Sequence, residues 1–512
     1  MRALPPVAEG GIALVLGWAH SQAFAQADAW WLQLLVLAVF AARLRLARRP
    51  ADAALMGLLF GTAWLSASTW WMYVSLHDFG GLPAWMAAAA VGLLCLVLSL
   101  YLAAALALFV ARRPSGPWCE ALLFGACWLL AELARGVLFT GFPWAASGYA
   151  HTSGPLAPLA PFIGVYGMGF VAALVACLAG RVLACDFRRG PVLACGVALL
   201  AMLLLALAGA PSFSRPTGTL SLTLLQTNVP QDEKFAMEHV PEELGWLGSQ
   251  LAAARGDLVV APETAIPVLP DQLAPEYWQS LLAHFSSGRQ AALIGLPLGN
   301  AEQGYTNSVA GISAATSSAP GKDAAAGQPF YRYDKHHLVP FGEFIPWGFR
   351  WFVDLMNIPL GDFNRGPLSA PPFLVRGERV GPNICYEDLF GEELAVRFRD
   401  RSQAPTLFVN VSNIAWFGNT VALHQHEEIS RMRTLEFQRP MVRATNTGVT
   451  VVLDHTGRAT ARLPIYTQAA LDTTVQGRDG LTPYAWWVSR LGLWPFLLLA
   501  MAPVLWPRRP TH

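Results

Sequence analysis

Long apolar runs fill the chain up to Pro211 and return after Tyr484, and between them short apolar runs alternate with amphipathic stretches. A helix that crosses a bilayer needs about 20 mostly apolar residues. The segments that come nearest are Gly10–Phe24, Trp31–Ala47, Ala53–Leu76, Pro83–Ala111, Pro117–Phe139, Pro161–Leu183, Pro191–Ala210 and Tyr484–Trp506. These predict about eight transmembrane helices, the first of them short and carrying His20 and Gln22. In the middle stretch Leu220–Asn228, Asp257–Pro262, Ala291–Leu296, Pro405–Val411 and Thr450–Asp454 read as strands bounded by Gly, Pro, Asn or Asp. Glu242–Ala254, Pro275–Phe285, Glu392–Arg399 and Ala422–Phe437 carry helical spacing. That alternation predicts layered α/β structure. Ser313–Gly327, rich in Ala, Ser, Gly and Pro, reads as a loop. The expected organisation is a membrane α-helical bundle over 1–211, an α/β domain over 212–480, and a closing transmembrane helix with a short tail over 481–512.

Composition supports a membrane protein. Of the 512 residues 54% are hydrophobic and 13% charged, against roughly a quarter charged in a soluble domain. A net charge of +1 leaves no electrostatic footprint for nucleic acid. The arginines then give the bundle a direction, because cytoplasmic loops accumulate Lys and Arg. Arg43, Arg45, Arg48 and Arg49 follow the second span, Arg112 and Arg113 the fourth, Arg188 and Arg189 the sixth, and Arg508 and Arg509 the last. If the spans alternate, all of these lie on one side. Loops His77–Leu82 and Gly141–Pro158 hold no Lys or Arg. The α/β domain is therefore expected outside the cytoplasm. Trp70, Trp71, Tyr73, Trp85 and Trp144 fall near outer span ends, where aromatic rings anchor at the headgroups. Glu132 and Arg135 lie three apart on one helix and are expected to pair within the bundle.

Cysteine usage narrows the chemistry. Cys95, Cys119, Cys127, Cys177, Cys185 and Cys195 lie in or beside predicted helices, where cysteine acts as a small hydrophobe. Only Cys385 lies in the α/β stretch. Structural cysteines facing an oxidising compartment come in pairs, so a lone one needs another reason to be there. No phosphate loop, dinucleotide fingerprint, zincin helix or paired-cysteine metal motif is present. His336, His337, His424 and His426 lack a carboxylate at ligand spacing and read as hydrogen-bonding residues, so no metal or other cofactor is expected.

Three segments carry the candidate chemistry. Ala261-Pro262-Glu263-Thr264 puts a carboxylate at the end of an apolar strand. Tyr333–Glu343 (YDKHHLVPFGE) sets Lys335 and a second carboxylate, Glu343, around a Pro/Gly loop. Asn383-Ile384-Cys385-Tyr386-Glu387 ends another strand on the lone cysteine. Strand ends are where an α/β layer presents reacting groups. A thiol needs a neighbouring base to become a strong nucleophile, and a fixed cation can stabilise the oxyanion that follows attack. Each residue alone also has a plain reading: Glu263 as a capping carboxylate, Lys335 as a solvated charge, Cys385 as a core thiol.

In this order the segments resemble the Glu-Lys-Cys triad of the nitrilase, or carbon–nitrogen hydrolase, superfamily. Tyr333–Pro346, Ile384–Glu387, Val411–Gly418 (VSNIAWFG) and Arg443–Gly448 (RATNTG) look like the branch of bacterial apolipoprotein N-acyltransferases, and that likeness covers nearly the whole chain. It implies an αββα-sandwich in the periplasm, attached to the inner membrane with its first hydrophobic segment retained, although Ala23-Phe24-Ala25 also fits a signal-peptide cleavage site. It implies that Glu263 takes the proton of Cys385, which attacks a phospholipid ester, typically of phosphatidylethanolamine, while Lys335 supports the oxyanion. The α-amine of a diacylglyceryl-cysteine on an apolipoprotein then takes the acyl chain. Glu343, Tyr386 and Glu387 match residues that support the triad; Trp416 and Phe417 match aromatic residues on the lipid path. Phe235 stands where the family often has Trp, keeping a ring but losing an N–H donor. Ile414 stands where the family usually has Asp, so no role for that carboxylate carries over. A membrane-tethered amidase would use the same triad with water as acceptor. A transporter and a non-catalytic lipoprotein-binding module are disfavoured by the few charges in the spans and by the intact triad.

Overall fold

A computed structural model describes residues 4–26, 28–184, 188–315, 330–353 and 362–506. Cys185, most of Ser313–Gly327, Arg508 and Arg509 lie outside the described residues. The chain divides into two compact units: Met1–Tyr73, Pro83–Pro211 and Leu491–His512 form one, and Val74–Leu82 with Ser212–Arg490 the other.

The first unit is helical, with α1 (Pro6–Ser21), α2 (Trp30–Leu44), α3 (Pro50–Thr69), α4 (Ala84–Arg112), α5 (Pro117–Val137), α6 (Ala160–Leu183) and α7 (Arg189–Ala208). Proline opens α1, α3 and α5, where its missing N–H costs nothing and its fixed φ suits the first turn. Among the described residues, α4 to α7 are long and apolar enough to cross a membrane, or five spans if a bent pair near the C-terminus counts as one. The expectation of eight is met only in part, for physical reasons. With 16 and 15 residues, α1 and α2 reach about 24 and 22 Å, short of the ~30 Å hydrocarbon core. Helix α3 has 20 residues but carries Asp52, Thr62, Ser66, Ser68 and Thr69. The segment read as one closing helix breaks at Gly492 (φ +57°) into α11 (Pro483–Leu491) and α12 (Trp494–Leu505).

The arginine-rich ends do converge. Arg45 and Arg181 both pair with the buried Glu120, Arg43 pairs with Glu9, and Arg113 donates to the Arg45 carbonyl at 3.1 Å. Arg112 donates to the Val504 carbonyl at 2.7 Å. The ends of α2, α4, α6 and α12 thus meet. Other expectations change. Trp71 and Trp144 are buried, with ring centroids 4.7 Å apart, so they pack the core, whereas Trp70 and Trp85 are exposed. Glu132 and Arg135 are both buried, and each bonds to backbone: Glu132 accepts from the Ser147 N–H at 2.7 Å and Arg135 donates to the Phe142 carbonyl at 3.0 Å.

The second unit is a two-sheet α/β sandwich. Its strands are β1 (Ser214–Gln226), β2 (Leu258–Val260), β3 (Ala291–Asn300), β4 (Gly304–Ile312), β5 (Tyr331–Asp334), β6 (Phe373–Val375), β7 (Glu378–Ile384), β8 (Leu407–Ser412), β9 (Met441–Thr445), β10 (Val451–Leu453), β11 (Ala459–Arg462) and β12 (Ala469–Gly480). One sheet runs β12-β1-β2-β3-β4-β5 and the other β11-β10-β9-β8-β7-β6. The period of two decides the layers. Leu258, Val260, Leu293, Val409 and Val411 point to the core shared by the sheets, while Val259, Ile294 and Phe408 point outward. Helices α8 (Val240–Ala253) and α9 (Pro275–Ser287) bury Leu247, Leu251, Leu281 and Phe285 against the first sheet. Helix α10 (Ala422–Phe437) and α11 bury Phe437, Tyr484 and Val488 against the second. Glu392–Arg399, expected as one helix, is a five-residue helix over Gly391–Ala395 followed by a 3-10 turn. Strands β1-β2-β3 and β7-β8-β9 are parallel, so the carboxyl ends of β2, β7, β8 and β9 carry the segments singled out above.

Candidate active site

Glu263 stands just beyond β2, in a turn that needs room beneath it. Gly295 of β3 supplies the room: a Cβ there would come 2.3 Å from the Pro262 carbonyl oxygen and 2.7 Å from the Glu263 Cα. Both carboxylate oxygens are held, Oε1 by Asn307 Nδ2 at 2.7 Å and Oε2 by the Asn413 N–H at 2.6 Å. Lys335 follows β5. Its ammonium lies 2.8 Å from Glu343 Oε1 and 3.3 Å from Glu263 Oε1, and its side chain is 1% exposed. Glu343 is fixed in turn by Asn307 Nδ2 at 2.6 Å and by the Val339 N–H at 2.8 Å. Burial works against the Lys335 charge, but Glu263, Glu343 and Cys385 outweigh it and hold its pKa above the ordinary lysine value.

Cys385 is the first residue past β7 and takes φ +51° as the strand turns into a 3-10 turn over Cys385–Leu389. A non-glycine residue in that region is held there by its surroundings. Burial, then the charge of Glu263, then those of Glu343 and Asp388, push the thiol well above its usual pKa, with Lys335 opposing them. The resting group is a neutral thiol within the field of a carboxylate and an ammonium. Such a set can move a proton from sulfur to carboxylate and stabilise negative charge on an oxygen beside the lysine.

Among the expected supporting residues, Glu387 joins two of the three segments. Its Oε2 accepts from the Ile384 N–H and the Tyr333 hydroxyl, each at 2.7 Å, and its Oε1 from the His336 N–H at 2.7 Å. One buried carboxylate therefore locks the strand before Cys385 to the loop after Lys335. Tyr386 is buried with its ring near His337 (5.6 Å) and Phe390 (5.2 Å). His336 and His337 bond to the Gly366 carbonyl and to Glu393 at 2.8 and 2.9 Å. Trp416 and Phe417 are half-buried on a 3-10 turn after β8. Ser75 donates to the Trp416 carbonyl at 2.7 Å, and Phe79 meets the Trp416 ring edge-on. Ile414 is 1% exposed inside the apolar cluster under α10, which accounts for an apolar residue there. Phe235 is half-buried, and its neighbour Lys234 is the residue that reaches the site, donating to the Glu263 carbonyl at 3.2 Å. Burial lowers the Lys234 pKa to about 8, with Glu263 and Glu243 limiting the fall.

The sequence reading missed Asn307 and gave no role to Lys234 or to Asn413, which lies within the VSNIAWFG stretch. Asn446, within the quoted RATNTG stretch, links the ends of both sheets: it accepts from Thr227 at 2.7 Å and donates to Asn413 at 3.0 Å. Its position in a motif was visible; its partners were not.

Both parts of the chain resemble known proteins. The pattern described as apolipoprotein N-acyltransferase N-terminal domain matches residues 13–178, and that described as carbon-nitrogen hydrolase matches residues 206–478. The apolipoprotein N-acyltransferase of Verminephrobacter eiseniae is 52% identical over 485 residues, covering 91% of this chain and 89% of that protein. The enzyme of the same name from Ralstonia nicotianae is 46% identical over 484 residues, covering 92% and 88%. That from Nitrosomonas europaea is 38% identical and covers 92% of each.

Proposed function

The chain belongs to the apolipoprotein N-acyltransferase family, and from that premise we propose that Glu263, Lys335 and Cys385 carry the acyl transfer. Glu263 takes the thiol proton as sulfur attacks the ester carbonyl of a phospholipid, with phosphatidylethanolamine as the donor. Lys335 stabilises the tetrahedral oxyanion. The C–O bond breaks, Glu263 returns the proton to the departing alcohol, and a lysophospholipid leaves an S-acyl Cys385. The α-amine of a diacylglyceryl-cysteine at the head of an apolipoprotein then attacks the thioester. Its proton passes through Glu263 to the leaving sulfur, and the acyl chain ends on nitrogen. The observation that carries this reading is the ammonium of Lys335 at 3.3 Å from Glu263 and 2.8 Å from Glu343, with the thiol inside their field. Glu343, Tyr386 and Glu387 support the triad, while Trp416, Phe417 and Phe235 take the lipid side.

The test is phospholipid without acceptor. Purified protein should give a stoichiometric burst of lysophospholipid and a lasting mass shift on the peptide carrying Cys385. Adding a diacylglyceryl-cysteine peptide should discharge it as amide, with ping-pong kinetics. Continuous release of free fatty acid at the same rate without the amine would make the protein a hydrolase.

The proposed organisation is a helical bundle over 1–211 with all eight apolar segments embedded in the inner membrane, a periplasmic catalytic domain over 212–480 and a closing segment over 481–512. The convergence of Arg43, Arg45, Arg112, Arg113 and Arg181 supports that orientation. A reporter active only in the cytoplasm should work when fused after Arg113 and stay silent after Arg215; activity after Arg215 would reverse the orientation.

A further inference from the structure

Beneath the elbow at Cys385 lies a buried polar cluster that the transfer chemistry does not use. Asp388 comes from the turn that begins at Cys385, His426 and Ser430 lie one helical turn apart on α10, and Arg443 lies on β9. Their side chains are essentially without solvent contact. His426 Nε2 lies 3.2 Å from the Cys385 carbonyl oxygen and 2.9 Å from Asp388 Oδ1. Arg443 NH2 lies 3.1 Å from His426 Nδ1, and Arg443 NH1 lies 3.0 Å from Asp388 Oδ2. Ser430 donates to Asp388 as well.

These contacts assign the histidine's proton. A guanidinium only donates, so Nδ1 presents its lone pair to Arg443, and the proton sits on Nε2. Nε2–H then points at two acceptors, the Asp388 carboxylate and the main-chain carbonyl of Cys385. That carbonyl also accepts from Asn410 Nδ2 at 3.1 Å. One residue earlier Glu387 holds the Ile384 N–H at 2.7 Å. The peptide after Cys385 and the one joining Asn383 to Ile384 are thus tied down on either side of the elbow, where φ is +51°. An ion pair buried this deeply is weak evidence for added stability, and an apolar cluster would fill the space under α10 as well.

We propose that His426, held by Asp388, Ser430 and Arg443, is a positioning residue that fixes the Cys385 carbonyl and so aims the thiol at the acyl carbonyl. The inference rests on Cys385 being the nucleophile. A misplacement of about 1 Å at a reacting atom costs on the order of 100-fold in rate, which sets the expected effect.

The experiment uses the full-length protein in phosphatidylethanolamine nanodiscs, with single-turnover acylation of Cys385 as readout. His426→Phe should lower the acylation rate by about 100-fold and leave KM within about twofold. His426→Gln keeps an N–H donor and should recover the rate to within about fivefold of wild type. A folded His426→Phe protein with the wild-type rate, or a loss confined to KM, overturns the proposal; so does a glutamine variant as slow as phenylalanine. Should His426→Phe not fold, the isosteric Asp388→Asn decides. Acylation should slow by about tenfold with KM within about twofold of wild type; a folded asparagine variant at the wild-type rate overturns the proposal. Cys385→Ala run in parallel separates the two readings: activity there defeats the nucleophile assignment, whereas its loss beside a fully active His426→Phe defeats only the positioning role.

Discussion

Cys385→Ala is expected to abolish N-acyl transfer, by at least about 10⁴-fold, while the protein still folds and binds phospholipid. The side chain that disappears is the one that would form the covalent intermediate, and none of the groups around it can replace sulfur as a nucleophile. Glu263 and Glu343 are both occupied with Lys335 and Asn307. The substitution keeps a Cβ at φ +51°, so the elbow is no more strained than before, and the loss in stability should be about 1 kcal/mol. Melting measured by intrinsic fluorescence should therefore move by only a few degrees. Cys385→Ser is the sharper variant. It keeps size and hydrogen bonding but has a hydroxyl far harder to ionise, and it should also fail to accumulate an acyl-enzyme. Replacing Cys95, Cys119, Cys127, Cys177, Cys185 and Cys195 together by Ala or Ser should leave transfer largely intact, with any loss coming from packing. Of the described ones, Cys95, Cys127 and Cys177 are buried. A folded Cys385→Ala protein that still transfers acyl chains would remove the cysteine from the mechanism.

How far the sequence led depends on the distance over which each feature is encoded. Local period was enough for α10, which runs from Ala422 to Phe437 as the spacing predicts, and for the strand β2 that ends before Glu263. The candidate positions stood out because Glu263 and Cys385 each close a strand, Lys335 and Glu343 flank a Pro/Gly loop, and Cys385 has no cysteine near it in the same stretch. What was not legible is the support. Asn307 and Asn413 reach Glu263 across 44 and 150 residues of chain, and neither the strand that holds Asn307 nor the VSNIAWFG stretch that holds Asn413 says which carboxylate they bind. The same holds for Glu387, whose family match suggested support without saying that it ties the Ile384 N–H to the His336 N–H. The closing helix failed for another reason. Tyr484–Trp506 is mostly apolar apart from Ser489 and Arg490, and the chain turns at Gly492, whose φ is positive, three residues before Pro495. Trp71 and Trp144 failed for a third: a tryptophan near a span end suits a headgroup layer and a packed core alike, and here the two rings meet each other.

The second large effect is expected at the base. Glu263→Gln should slow thioester formation by about 10³-fold, within the range that positioned proton transfer contributes, while leaving Lys335 charged through Glu343 at 2.8 Å. The amide cannot accept the thiol proton. It also cannot satisfy all three donors that Glu263 serves, because the end that carries the NH₂ faces either Asn307 Nδ2 and Lys335 or the Asn413 N–H. The pH dependence then separates base from mere scaffold. The thiol's pKa is raised first by burial and next by the charge of Glu263, so below that pKa the thiolate fraction grows about tenfold per pH unit. Wild type does not depend on that fraction, because the base removes the proton during attack. The glutamine variant does, and its residual acylation should climb steeply with pH through 8 to 9 in steps of about tenfold per unit. Loss of the carboxylate's own charge lowers the thiol pKa somewhat, which moves the climb toward neutrality but leaves burial, the larger cause, in place. Single-turnover acylation across that range checks the point. A glutamine variant within about threefold of wild type, or one slowed equally at every pH, would show that Glu263 holds the site together without taking the proton.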